Sequence, residues 1–209
     1  MAVTLEELID AATVIPVLTV KSVKDAAPLA EALAAGGLRV IEMTWRTPDA
    51  LQVMQAMKAA RPDLIIGMGT IRTPGQIADC VDAKADFLVS PGLTPVLAPA
   101  LLGCGLPSLP GVATAGEAMA AQEAGFELLK FFPAEQSGGR DYLKSISGPL
   151  PDIRFCPTGG ITPTSAPDYL ALSNVVCVGG TWIAKPDRIE AGDWAGIEAN
   201  ARVAASLAS

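Results

Sequence analysis

The sequence predicts an α/β protein, and within that class a (β/α)8 TIM barrel with an N-terminal capping helix. Short β-rich runs alternate with helical segments almost to the end of the chain, the pattern of a parallel sheet. Eight such runs are each followed by a helix, which suits a closed barrel. The glycines in Gly67-Met68-Gly69-Thr70, Thr158-Gly159-Gly160 and Gly179-Gly180-Thr181 do not compose a G-x-G-x-x-G fingerprint, which argues against an open doubly wound sheet. At 209 residues, half of them hydrophobic, the chain can bury a large core and is expected to form one domain over residues 1–209.

The elements follow in order. Thr4 and Glu7 form a capping-box signature that starts the first helix. Strands are expected near Val14 to Val20, Arg39 to Thr44, Leu64 to Met68, Phe87 to Ser90, Ser108 to Gly111, Glu127 to Phe132, Ile153 to Thr158 and Val175 to Val178. Helices are expected near Lys24 to Ala35, Pro48 to Ala60, Pro74 to Ala83, Pro95 to Leu102, Ala115 to Ala124, Arg140 to Ile146 and Pro167 to Leu172, with a last one from about Trp194. Phe87 to Gly116 carries no charge, but Pro91, Pro95, Pro99, Pro107 and Pro110 interrupt it, so it reads as buried strand, helix and strand rather than a membrane span.

Composition excludes several functions. The net charge is −7 and no basic run occurs, so nucleic acid is not an expected partner. The four cysteines are scattered, leaving neither a zinc ribbon nor a C-x-x-C motif, and they read as reduced, mostly buried thiols. The absence of histidine removes Ser-His-Asp and Cys-His catalysis and most zinc or iron sites, so no metal is expected. The start of the chain is acidic where a secretory signal is basic, and a cytoplasmic enzyme is expected. The helix Pro95 to Leu102 has no charged face, which implies an oligomer.

Barrel enzymes carry their chemistry at the C-terminal ends of the strands. Here those ends supply Glu42, Thr44 and Arg46, then Thr70, Ser90 and Pro91, Lys130, Thr158 and Thr181. Lys130 is the most telling, an amine inside the apolar run Glu127-Leu128-Leu129-Lys130-Phe131-Phe132-Pro133. Alternation places it on one face with Leu128 and Phe132. A buried lysine is costly unless it is neutralised, paired or used. Schiff-base formation needs the neutral amine, which apolar walls and a neighbouring Arg46 would favour. Glu42, sharing a face with Val40 and Thr44, is either a structural partner for a cation or a proton-transfer group, and the two are compatible. Arg46 offers a planar fork for a carboxylate, and Thr70 a hydroxyl or backbone donor for the same anion. Glycine pairs after strands 7 and 8, Gly159-Gly160 and Gly179-Gly180, with Thr181, suit a phosphate.

Together these residues resemble the 2-keto-3-deoxy-6-phosphogluconate aldolases. The resemblance runs through Ile15-Pro16-Val17, Ala35-Gly36-Gly37, Glu42-Met43-Thr44-Trp45-Arg46-Thr47, Gly67-Met68-Gly69-Thr70 and Ser90-Pro91-Gly92-Leu93-Thr94. It continues through Lys130-Phe131-Phe132-Pro133-Ala134-Glu135 and Arg154-Phe155-Cys156-Pro157-Thr158-Gly159-Gly160-Ile161. It implies a Schiff-base role for Lys130 and an acid/base role for Glu42. Arg46 and Thr70 would bind the pyruvate carboxylate, Pro91 and Phe132 would wall the pocket, and Thr158 would contact substrate hydroxyls. Gly159, Gly160, Gly180 and Thr181 would hold the phosphate. It further implies cleavage to pyruvate and glyceraldehyde 3-phosphate without metal or organic cofactor, with 4-hydroxy-2-oxoglutarate cleavage or oxaloacetate decarboxylation as side activities, and a homotrimer. Trp45 departs from the smaller apolar residue expected there, and Thr181 from serine. Two other classes remain: a phosphosugar epimerase or isomerase with Glu42 as base, and a non-catalytic phospholigand-binding barrel.

Overall fold

A computed structural model describes residues 3–207. Met1 and Ala2, part of the acidic N-terminal segment considered above, and the last two residues lie outside them. The described chain is a (β/α)8 barrel. Its strands are β1 (Val14–Leu18), β2 (Val40–Thr44), β3 (Ile65–Gly69), β4 (Leu88–Val89), β5 in two halves (Ser108–Leu109 and Gly111–Val112), β6 (Leu128–Phe131), β7 (Arg154–Pro157) and β8 (Val178–Gly180). Neighbours pair in parallel around the ring, β8 returning to β1 through Val14↔Val178, Ile15↔Gly179 and Pro16↔Gly180. Bridges Phe155↔Val175 and Thr158↔Gly179 close it between β7 and β8.

The helices are α1 (Leu5–Ala11), α2 (Ala26–Ala35), α3 (Ala50–Ala60), α4 (Pro74–Asp82), α5 (Leu97–Gly103), α6 (Ala115–Ala124), α7 (Gly139–Ile146), α8 (Ala166–Leu170), α9 (Pro186–Glu190) and α10 (Trp194–Ala205). The Thr4–Glu7 capping box opens α1 as expected. The buried Leu8 of α1 joins Ile15, Val40, Phe87, Val89, Leu109, Leu128, Cys156 and Cys177 in the apolar plug of the barrel. A second, larger core lies outside the strands, where Ile41, Met43, Leu129, Phe131 and Phe155 meet the helices.

Three differences from the sequence expectations have physical causes. Pro110 has no N–H for a ladder, so β5 is split there. The last strand is Val178–Gly180 rather than Val175 to Val178, and Val175 reaches the sheet through a single isolated bridge to Phe155. Gly179 and Gly180 are therefore strand residues, not the turn after the strand. The short α9 has no counterpart among the helices expected from the sequence. Among the described residues no helix is long and apolar enough to cross a membrane, and Phe87 to Gly116 folds into strand, helix and strand as expected.

Candidate active site

The barrel interior changes character along its axis because inward side chains recur every second residue. In β2 the inward Val40 is followed by Glu42, and in β6 Leu128 is followed by Lys130. Cys156 of β7 is likewise followed by Thr158. An apolar layer therefore lies beneath a polar layer at the C-terminal mouth. That floor is chemically quiet: the adjoining Cys156 thiol, with full burial, holds the Cys177 thiol well above the usual cysteine range.

Lys130 and Glu42 meet in the polar layer, 5% and 4% exposed. The Lys130 Nζ donates to Glu42 Oε1 at 3.1 Å and Oε2 at 3.2 Å. The amine also lies 5.3 Å from the Phe132 ring centroid, an aromatic face that favours a cation. The pairing satisfies two groups that would each be costly to bury alone. The resting amine is thus paired, not merely walled by hydrocarbon, so Glu42 is the neighbour able to take its proton.

Space for this pair comes from glycine. Gly69 lies beside Glu42, and a Cβ at Gly69 would collide with the Glu42 carboxylate. Gly179 stands in the same relation to Thr158. Thr158, 4% exposed, keeps its hydroxyl in the mouth with only a long 3.5 Å bond to the Cys156 carbonyl. Neither glycine was given this role in the sequence, where a glycine at a strand end reads as a turn.

The other expected residues surround the mouth. Arg46 follows β2, is exposed and enters none of the ion pairs among the described residues. Thr70 follows β3 with φ 66°, a left-handed conformation that a β-branched residue adopts only under constraint. Pro91 is exposed after β4, and Phe132 is half-buried after β6. Gly159 and Gly160 have φ 107° and 81°, so the loop after β7 needs glycine at both positions. Gly180 ends β8 and Thr181 is exposed just beyond it. Trp45 packs on the outer core, away from the inward face of β2. Thr44, expected at the end of β2, has a partner that the sequence does not suggest, Thr19, whose hydroxyl lies 2.9 Å from its own, and Thr44 donates to the Leu18 carbonyl at 2.7 Å.

A buried lysine–carboxylate pair at the C-terminal mouth of a parallel barrel is the equipment of a lysine-dependent carbonyl enzyme. Residues 5–200 match the KDPG and KHG aldolase family, and the chain belongs to that family. It is 50% identical over 181 residues to the 2-dehydro-3-deoxy-phosphogluconate aldolase of Pseudoalteromonas atlantica, covering 87% of this chain and 84% of that one. It superposes with TM-score 0.92 and 43% identity on KDPG aldolase from Legionella pneumophila, in which pyruvate was captured at low pH as a covalent carbinolamine intermediate, covering 97% of each chain. The Zymomonas mobilis ZM4 enzyme with 3-phosphoglycerate superposes with TM-score 0.90 and 42% identity, over 97% of this chain and 95% of that one.

Proposed function

We propose that this chain is a class I aldolase that cleaves 2-keto-3-deoxy-6-phosphogluconate to pyruvate and glyceraldehyde 3-phosphate. The observation that carries the reading is the buried contact of Lys130 with Glu42. As substrate displaces the pair, Glu42 takes the Lys130 proton and the free amine attacks the C2 ketone. Glu42 returns that proton to the carbinolamine hydroxyl, water leaves, and the iminium forms. The carboxylate then removes the C4 hydroxyl proton. The C3–C4 bond breaks, its electrons pass into the iminium to give an enamine, and glyceraldehyde 3-phosphate departs. Glu42 protonates the enamine at C3, and water hydrolyses the resulting iminium to pyruvate and free Lys130.

In this reading Arg46 and Thr70 hold the carboxylate, Pro91 and Phe132 wall the pocket, and Thr158 meets the substrate hydroxyls. Gly159, Gly160, Gly180 and Thr181 receive the phosphate; the Zymomonas relative's structure with 3-phosphoglycerate supports a phosphorylated ligand. The family's name supports 4-hydroxy-2-oxoglutarate as a second substrate of the same site. A homotrimer is part of the proposal, supported by the apolar residues exposed on α4, α5 and α6.

Incubation with pyruvate and borohydride should place a stable adduct on Lys130. An unmodified Lys130 under saturating pyruvate would reject the Schiff base and favour an epimerase, which forms no such adduct.

A further inference from the structure

Glu135 and Tyr169 take no part in the reaction above, yet together they tie the loop after β6 to the loop after β7. Two backbone bonds begin the connection: Ala134 N–H donates to the Thr158 carbonyl at 2.8 Å, and Glu135 N–H to the Gly159 carbonyl at 3.1 Å. Gly160 packs directly on the Glu135 side chain, since a Cβ there would lie 2.6 Å from Glu135 Cγ. Gly159 lies close to the preceding turn, where a Cβ would come within 3.3 Å of Pro133 Cα and Ala134 N. The Tyr169 hydroxyl then donates to Glu135 Oε1 at 2.7 Å.

Tyr169 lies on α8, 1% exposed within the outer core, whereas Glu135 is exposed. A rigid buried ring therefore holds a carboxylate that would otherwise move with solvent. Gly139, at φ 61°, leaves room for the contact, because a Cβ there would lie 3.1 Å from the Tyr169 oxygen. Burial, then the hydrogen bond to Glu135 and its charge, raise the Tyr169 phenol above its ordinary range, so it is a donor at neutral pH.

We propose that Tyr169 is a positioning residue that, through Glu135, fixes Gly159-Gly160 against the strand bearing Lys130 and so sets the reach between a substrate's phosphate and the reacting amine. The inference rests on the phosphate-site reading of these glycines. It does not require either side chain to touch substrate. Loss of the tie leaves the amine intact but lets the phosphate loop drift, which weakens binding of a phosphorylated substrate while sparing an unphosphorylated one.

The test compares 2-keto-3-deoxy-6-phosphogluconate with 4-hydroxy-2-oxoglutarate in wild type, Y169F, E135A and E135Q. Y169F and E135A should each raise KM for the phosphorylated substrate about tenfold, the scale of a lost hydrogen bond to a charged group. Their kcat, their KM for the unphosphorylated substrate and their borohydride trapping of pyruvate should stay near wild type. E135Q retains an acceptor for the hydroxyl and should recover most of the loss. The double variant Y169F/E135A should lose no more than either single one. Equal effects on both substrates, or an unchanged KM for the phosphorylated one, would overturn the positioning role. A wild-type enzyme that does not discriminate between the two substrates would instead overturn the phosphate site and the positioning role with it. E135A and E135Q alter an exposed side chain, so the comparison stands even if Y169F folds poorly.

Discussion

A methyl group at Gly69 would occupy the volume of the Glu42 carboxylate, so this glycine governs where the acid can sit. Gly69→Ala should cost about 1–3 kcal/mol through overpacking and lower kcat by roughly a hundredfold as Glu42 shifts from Lys130. Thermal melts and steady-state rates check both figures. Glu42→Gln provides the comparison, because it removes the acid/base group without adding volume and should reduce kcat by about 10²–10⁴. A G69A enzyme with wild-type kcat would mean that Glu42 has freedom the packing denies it. Lys130 was legible in the sequence because a charge in an apolar strand demands a reason. Gly69 was not, because what it accommodates is a side chain 27 positions away in the chain, visible only once β2 and β3 pair through Thr44↔Gly69.

At the scale of the elements, strand count and direction followed from alternation, and the boundaries followed from constraints that act across the barrel. Gly179 belongs to β8 because β1 supplies the ladder and Thr158, just past the end of β7, bridges to it and fills the space beside it. Local β-propensity favours Val175 to Val178 instead, which is why the sequence alone misplaces that strand. Helix starts are more local. Thr114 and Glu117 form a full capping box at α6, Thr114 accepting from Glu117 N–H at 3.2 Å while Glu117 Oε2 accepts from Thr114 N–H at 3.0 Å. Thr114→Ala should therefore cost about 1 kcal/mol. The Ala113 N–H, bonded to the Glu117 carboxylate at 2.7 Å, is the main cause holding that carboxyl below its ordinary value of 4.5, aided by Thr114 and opposed by partial burial. A carboxyl depressed in the folded state stabilises above its unfolded pKa and loses that contribution as pH falls through the folded one. The stability difference between wild type and Glu117→Gln should accordingly be constant near neutrality and shrink below about pH 4.5, the ordinary value from which Glu117 departs. Chemical denaturation across pH measures it. A difference that instead grows on acidification would reverse the assignment.

For the whole molecule, the layered barrel accounts for the site: an apolar plug sealed by α1 supports a polar layer at the other end. The uncharged stretch Phe87 to Gly116 was informative for the same reason, since it must be covered on both sides. Its strands β4 and β5 lie in the barrel wall, where Phe87, Val89 and Leu109 enter the apolar plug, yet its helical part leaves Val96 67% and Leu102 46% exposed around α5. Val81 on α4 and Met119 on α6 are also exposed, at 39% and 48%, on helices that pack against α5. Single exposed hydrophobes are ordinary, but one on each of three neighbouring helices, with Val96 at the start of α5, is what the proposed contact with a second copy would use. Charges placed there should act on assembly and leave the Lys130 pair untouched, because these helices lie outside the strands. If the proposed trimer forms through this face, Val96→Glu with Leu102→Glu should give a monomer at micromolar concentration where wild type does not, with light scattering as the readout. Trapping of pyruvate on Lys130 should persist in that monomer if each barrel builds its own amine site. A variant that stays oligomeric would move the interface to another face, and a wild type that is already monomeric would remove the trimer from the proposal.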